Sequence, residues 1–224
     1  MKGGIKLLPI TKYGTGIVAG SWAVFLIFLI LSLLFRQPVL IVFTIISGIF
    51  SSFNLLFFRD PDRSVPANTD VILSPADGKV IQITEVSENE FFKEKVTRVS
   101  IFLSVFDVHV NRSPFSGTVE YFRYKRGSFL PAFKEDASLE NEQTAIGIRD
   151  DRGRQIMFTQ IAGIIARRIV CELREGHQTS AGERMGMIRY GSRADIYFRP
   201  EEVELSVKPG DKVQGGETII GVFK

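Results

Sequence analysis

The chain has 224 residues, a formal charge of +3 and 45% apolar residues, a length that suits one compact domain with an appendage or two small units. The charge is too mild for a nucleic-acid binder, and Lys2, Lys6, Lys12, Arg36, Arg59 and Arg63 flank apolar segments rather than forming one basic run. A single cysteine, Cys171, excludes an internal disulfide, and with only two histidines, His109 and His177, no metal site of several His or Cys ligands is expected.

The first elements in chain order are two uncharged apolar runs, Ile17 to Phe35 and Val39 to Phe58. Each has the length that crosses the hydrocarbon core as a helix, and Pro38 marks the break between them. The pattern predicts a helical membrane hairpin over residues 1–58. It does not fit a cleaved signal peptide, whose apolar core is shorter and stands alone. The basic residues lie before the first run and after the second, and the turn carries only Arg36, which puts both ends in the cytoplasm. A pair of buried core helices and a shallow re-entrant hairpin are the alternatives.

After Arg59 the composition changes. "RDPDRSVPANTD" reads as a polar linker. The rest, residues 59–224, reads as one mainly β domain of short β-branched runs between Gly, Pro and Asn. Strands are predicted at Gly78 to Ile83, Val96 to Leu103, Gly117 to Tyr124, Ile156 to Ile161 and Ala194 to Phe198. Phe133 to Gln143 reads as a loop, and Ala162 to Glu172 suits a strand or a short helix equally. "SPADGKVIQI" and "VKPGDKVQGGETIIGVF" share tight Gly turns that run into strands. This is the style of a barrel-sandwich, biotinyl-like core, with glycine where φ is positive. The modifiable lysine of a biotinyl or lipoyl carrier is missing.

Three places can carry chemistry. Asp107 and His109 are two apart, so on a strand they share a face, and a carboxylate there can hold the imidazole tautomer. A hydrogen-bonded structural histidine is the plainer reading, and His177 reads as an exposed loop residue. Asp77, before Gly78, reads locally as a turn aspartate that caps its own backbone. Ser192 follows Gly191 without the G-x-S-x-G surroundings of a nucleophile elbow. A Gly-Ser pair has one distinctive chemistry if the backbone is bent and a base is near. The serine Oγ attacks the unhindered glycine carbonyl and turns the amide into an ester. Elimination then breaks the chain, and the resulting dehydroalanine hydrolyses to an N-terminal pyruvoyl group.

Taken together, "FRDPDRSVP", "SPADGKV", "FDVHVNRSPFSGTV", "QIAGIIARRIVC" and "GERMGMIRYGSRADIYF" resemble the phosphatidylserine decarboxylase family in its short membrane-anchored form, from Arg59 to Lys224. The resemblance implies a proenzyme that cuts itself between Gly191 and Ser192. Residues 1–191 become the β chain and 192–224 the α chain, the two stay associated, and Ser192 becomes the covalent pyruvoyl cofactor. It implies that this group forms a Schiff base with the serine amine of phosphatidylserine and acts as an electron sink for loss of CO2, leaving phosphatidylethanolamine. It implies His109 as the proton donor, Asp77 in self-cleavage and Asp107 tuning His109. Arg112, Arg193 and Asn141 are the candidates for holding the substrate's phosphate and carboxylate.

One departure stands out. Long-form relatives carry D-x-H-x-x-H, whereas here Arg112 occupies the second histidine's place, and arginine is a poor base. Either His109 serves both steps or the cleavage base lies elsewhere. A lipid substrate suits an enzyme anchored at the cytoplasmic face of the cell membrane. The sequence leaves open homo-oligomer formation and another serine phospholipid, such as archaetidylserine, as substrate. A membrane-tethered biotinyl-like adaptor, and a hydrolase using Ser192, His109 and Asp77 as a triad, are readings from other classes.

Overall fold

The computed structural model describes residues 9–128, 130–131, 140–163, 168–189 and 192–224. The chain divides into two compact units, residues 1–62 and 63–224.

The first unit is a helical hairpin of α1 (Thr15–Phe35) and α2 (Pro38–Phe57). Arg36 closes α1 in the left-handed conformation, φ 51°, its N–H returning to the Ser32 carbonyl. Pro38 opens α2 in the first turn, where a missing N–H leaves no carbonyl unpaired. The helices are tied by the Ser51 hydroxyl, which donates to the Ser21 carbonyl at 2.8 Å, and by stacked Phe28 and Phe43 rings. Most other apolar side chains point outward, among them Leu33, Leu34, Val39 and Ile49. Both helices are long and apolar enough to cross a membrane. Residues Arg59 and Asp60 stay with the hairpin, because Ile10 pairs with Arg59 and the Asp60 N–H donates to the Pro9 carbonyl.

The second unit is mainly β, as the sequence predicts. Its strands are β1 (Val71–Leu73), β2 (Gly78–Glu88), β3 (Glu94–Leu103), β4 (Val110–Arg112), β5 (Gly117–Lys125), β6 (Gln143–Arg149) and β7 (Gln155–Ala162), then β8 (Ile169–Cys171), β9 (Gln178–Thr179), β10 (Arg184–Ile188), β11 (Ser192–Phe198), β12 (Val203–Leu205), β13 (Lys212–Val213) and β14 (Ile219–Phe223). Eight form an antiparallel sheet in the order β13-β2-β3-β11-β7-β6-β5-β9. Two three-stranded sheets, β1-β14-β12 and β4-β10-β8, hold the other strands among the described residues.

β11 lies between β3 and β7 and is buried along its whole length. Strand alternation gives it two unlike faces. Ala194, Ile196 and Phe198 share one face with Ser192. Ile196 and Phe198 join the main core there, with Val99, Ile101, Ile146, Ile148, Ile156 and Phe158. Arg193, Asp195 and Tyr197 look the other way, where Tyr197 packs with Phe92, Val96, Ala145 and Met157.

Every predicted strand is present and each is longer than predicted, since register with a neighbour extends a strand past its β-branched stretch. Gln143, assigned to a loop by its polar surroundings, opens β6; its segment Gln143–Arg149 pairs on both sides. In the ambiguous Ala162 to Glu172 stretch, Ile169–Cys171 is a strand. Residues 164–167 of that stretch, and 133–139 of the predicted loop, lie outside the described residues. Gly78 follows its predicted role through space as much as φ: a Cβ there would stand 2.3 Å from the Phe102 carbonyl oxygen.

Candidate active site

Ser192 opens β11, with Leu103 of β3 on one side and Ala162 of β7 on the other. It is fully buried, and its Oγ has no hydrogen-bond partner among the described residues. A buried hydroxyl without a partner loses the hydrogen bonds that water would supply, so such an atom marks a place where another group is meant to arrive. Gly191, the predicted carbonyl partner, lies outside the described residues.

Two loops are tied to the strands around Ser192. The first is the Ser74–Gly78 turn. Ala76 packs against Leu103 and Ala194, so the turn rests directly beside Ser192's strand neighbours. The Ser74 hydroxyl closes the turn onto the Ala76 carbonyl at 2.7 Å. Asp77 does more than cap its own turn. Its carboxylate accepts both a forked pair from Arg63 Nη2, at 2.8 and 2.9 Å, and the Gly215 N–H at 2.8 Å. Burial pushes its pKa up; the Gly215 N–H and the Arg63 guanidinium oppose that rise, and the charge of Asp107 adds to it.

The second loop carries His109, fully buried one residue before β4. β4 is joined to the Asp77 turn by the Arg112 N–H, which donates to the Pro75 carbonyl. It is joined to β10, the strand that leads toward Ser192, by the Ile188 N–H, which donates to the His109 carbonyl. His109 Nδ1 lies 2.9 Å from the Asp107 carbonyl oxygen. A carbonyl only accepts, so in the neutral ring Nδ1 carries the hydrogen and Nε2 carries the lone pair.

Asp107 therefore acts on His109 differently from the sequence expectation. It sits in a turn, not on a strand, and its carboxylate caps that turn by accepting the Ser104 N–H at 2.8 Å. Its backbone carbonyl, not its carboxylate, fixes the imidazole. The three expected substrate-binding residues are also committed elsewhere. Arg193 lies on the opposite face of β11, locked to Asp195 at 2.6 and 2.8 Å and to Ser100 Oγ at 2.9 Å. Arg112 is buried, and its Nη1 donates to the Gly182 carbonyl at 3.1 Å. Asn141 spans from the Leu130 backbone to the Ala162 carbonyl, bracing the strand beside Ser192. His177 is exposed on the approach to β9. Among the described residues no cluster of His, Cys, Asp or Glu could hold a metal.

The structure adds residues that the sequence did not single out. Arg63, read only as a flanking charge, is the ion-pair partner of Asp77 and also of Glu217. Gln160, on the Ser192 face of β7, links Thr144 to Asn111. No spacing signal joins residues so far apart in the chain. Beside Thr144 a cleft of about 780 Å³ opens on the same face, lined by Phe122, Tyr124, Arg168, Val170 and Arg174. A second cleft, of about 590 Å³, lies on the opposite face around Arg98, Arg123 and Tyr197 and does not include Ser192.

Comparison with known proteins accords with this arrangement. A family model described as phosphatidylserine decarboxylase matches residues 50–221. The chain is 53% identical over 168 residues to a phosphatidylserine decarboxylase proenzyme of Wolbachia sp. subsp. Brugia malayi (strain TRS), covering 73% of each chain. It is 48% identical over 171 residues to the proenzyme of Syntrophus aciditrophicus (strain SB), covering 76% of this chain and 80% of that one. It is 42% identical over 215 residues to that of Chlorobium phaeobacteroides (strain BS1), covering 96% of this chain and all of that one.

Proposed function

Since the chain belongs to the phosphatidylserine decarboxylase family and is an enzyme that decarboxylates phosphatidylserine, we propose that it makes its own pyruvoyl cofactor by cutting between Gly191 and Ser192. The observation that carries this is the buried Oγ of Ser192, without a hydrogen-bond partner among the described residues and beside the Asp77 turn. Leu103, Ala76 and Ala194 make the surroundings apolar, which suits a small carbonyl group formed from the same side chain.

His109 Nε2 takes the proton from Ser192 Oγ as that oxygen attacks the Gly191 carbonyl. The Asp107 carbonyl holds the ring in the tautomer this requires. Asp77, as carboxylate, supports the charge that His109 gains. Elimination and hydrolysis then leave the pyruvoyl group on residue 192 and release ammonia. The group supplies a carbonyl that combines with the substrate amine and draws off the electron pair left by CO2. His109 holds at Nε2 the proton that returns to the substrate carbon. Residues 1–191 and 192–224 remain together as two chains of one fold. The hairpin anchors the catalytic unit to the cell membrane on the cytoplasmic side, where the lipid headgroup is within reach. A serine phospholipid with another backbone, such as archaetidylserine, presents the same reacting headgroup.

The test is the intact mass of the purified chain beside Ser192→Ala. The wild type is expected as two fragments divided at 191/192, the smaller with a pyruvoyl N-terminus, and Ser192→Ala as one full-length species without turnover. A single full-length species in both samples would sink the self-cleavage reading and favour an adaptor or a serine hydrolase. Assays on defined phosphatidylserine and archaetidylserine separate the lipids.

Arg63 gives a pH test of Asp77. Arg63 opposes the rise in the Asp77 pKa, so Arg63→Gln raises it further. A step that needs the carboxylate ionised gains as pH climbs through that pKa and is lost below it. The acid limb of self-cleavage is therefore expected at higher pH in Arg63→Gln, read as the fraction of full-length chain remaining across a pH series.

A further inference from the structure

Ser192 Oγ is not the only buried polar atom near the site without a partner among the described residues. Asn111 is fully buried on β4, and its Nδ2 has none among the described residues. Its orientation is fixed by a chain of neighbours. Gln160 Nε2 faces the Val170 carbonyl at 3.4 Å, and a carbonyl can only accept, so this end of the Gln160 amide is the donor. The other end, Oε1, accepts from the Thr144 hydroxyl at 2.7 Å. Gln160 Nε2 also donates to Asn111 Oδ1 at 2.8 Å. Asn111 thus spends its only side-chain acceptor on Gln160 and is left with two N–H donors that no group among the described residues receives.

The place of this amide is set by register. Gln160 pairs with Ala194, and the next residue of β7 on the same face, Ala162, pairs with Ser192. Gln160 is therefore the diagonal neighbour of Ser192, about 7–8 Å away between backbones. The same network borders the open cleft, since Thr144 and Val170 line it. Asn111 also lies two residues from His109, on the strand that pairs with β10.

Resting on the proposed reaction at Ser192, we propose that Asn111 Nδ2 is the hydrogen-bond donor for the carboxylate of the substrate's serine headgroup. The headgroup offers an amine, a carboxylate and a phosphate, and only the last two are acceptors. The carboxylate is bonded to the carbon that carries the amine, so it must lie close to residue 192. Three cations carried by β11, β4 and the segment before β1 already have partners: Arg193 with Asp195 on the far face, Arg112 with Gly182, and Arg63 with Asp77 and Glu217. A neutral donor also suits the chemistry. A guanidinium on the departing carboxylate would stabilise the charge that the reaction removes, lowering the ground state more than the transition state. An amide N–H orients the group with less of that penalty, and the apolar Ala76, Leu103 and Ala194 leave the charge poorly solvated.

The experiment uses the full-length protein in detergent micelles, with Asn111→Ala and the isosteric Asn111→Asp, which keeps an acceptor for Gln160 but removes both donors. Three quantities are read: fragment masses, kinetics on phosphatidylserine, and amine capture under cyanoborohydride. Capture is compared between phosphatidylserine and phosphatidylethanolamine, which lacks the carboxylate, counting adducts with and without the carboxyl group together. The wild type is expected to capture phosphatidylserine faster. Both variants are expected to cut themselves normally and lose that preference. Their kcat/KM for phosphatidylserine is expected to fall about 10- to 100-fold, the loss of one hydrogen bond to a charged group. Retention of the wild-type preference in both variants overturns the proposal and leaves the pyruvoyl reading intact. So does failure of both variants to cut, which would put Asn111 in self-cleavage or in the fold. A wild type that neither cuts nor captures an amine would bring down the proposed function itself, and this assignment with it.

Discussion

His109→Asn is expected to leave the chain at full length and without decarboxylase activity. The asparagine amide can still donate to the Asp107 carbonyl, as Nδ1 does at 2.9 Å, so the loop keeps its tie. What disappears is the lone pair at Nε2. Loss of a positioned general base slows a proton-transfer step by about 10²- to 10⁴-fold. The chain has one other histidine, His177, and it is exposed beside β9. With Arg112 where long-form relatives have a second histidine, the proposed scheme has His109 serve both self-cleavage and turnover. Mass spectrometry of His109→Asn, with His177→Asn as the processed control, checks this. Normal cutting in His109→Asn without turnover would confine His109 to the second step and require another base for the first.

The second large effect is on stability. Arg193 and Asp195 are among the most deeply buried groups in the chain, at 1% and 0% exposure, and they meet through two hydrogen bonds. Asp195→Ala leaves a guanidinium in the interior without its carboxylate partner. Breaking one side of a buried pair costs about 3–5 kcal/mol, a large share of what holds a domain of this size. Reversible denaturation of the detergent-solubilised, uncut Ser192→Ala chain, with and without Asp195→Ala, is expected to show that loss. Arg193→Met with Asp195→Leu is expected to recover most of it, because the penalty comes from the orphaned charge rather than from the missing attraction. A double variant as weak as Asp195→Ala would mean that the pair is needed for its geometry.

These two results concern residues that the sequence presents very differently. The β-branched runs announce their strands, and the uncharged runs announce the hairpin, because burial selects side chains locally. His109, Asp77 and Ser192 stand out as well, though only as a set of ordered blocks and not from spacing. Arg193 shows why binding roles were harder to read. In the sequence it is a cation beside Ser192, but alternation along β11 turns it to the opposite face. Arg112 likewise reads as a cation near His109 and is buried against Gly182. Arg63, Gln160 and Asn111 depend on partners far away in the chain. Their contacts are products of the sheet register, which no local pattern encodes.

The placement of β11 has a consequence for the life of the molecule. Cut before residue 192, the smaller chain would hold β11, β12, β13 and β14. Three of these pair with strands of the larger chain: β11 with β3 and β7, β13 with β2, and β14 with β1. The two pieces are woven together, so cutting need not part them. Unfolding would. Reassembly would then require two separate polypeptides to find one another, at a rate set by their concentration, where the proenzyme folded as one chain. The broken peptide bond could not be remade. Such a protein is held by the height of its unfolding barrier rather than by an equilibrium it can revisit, and its working lifetime is a single descent.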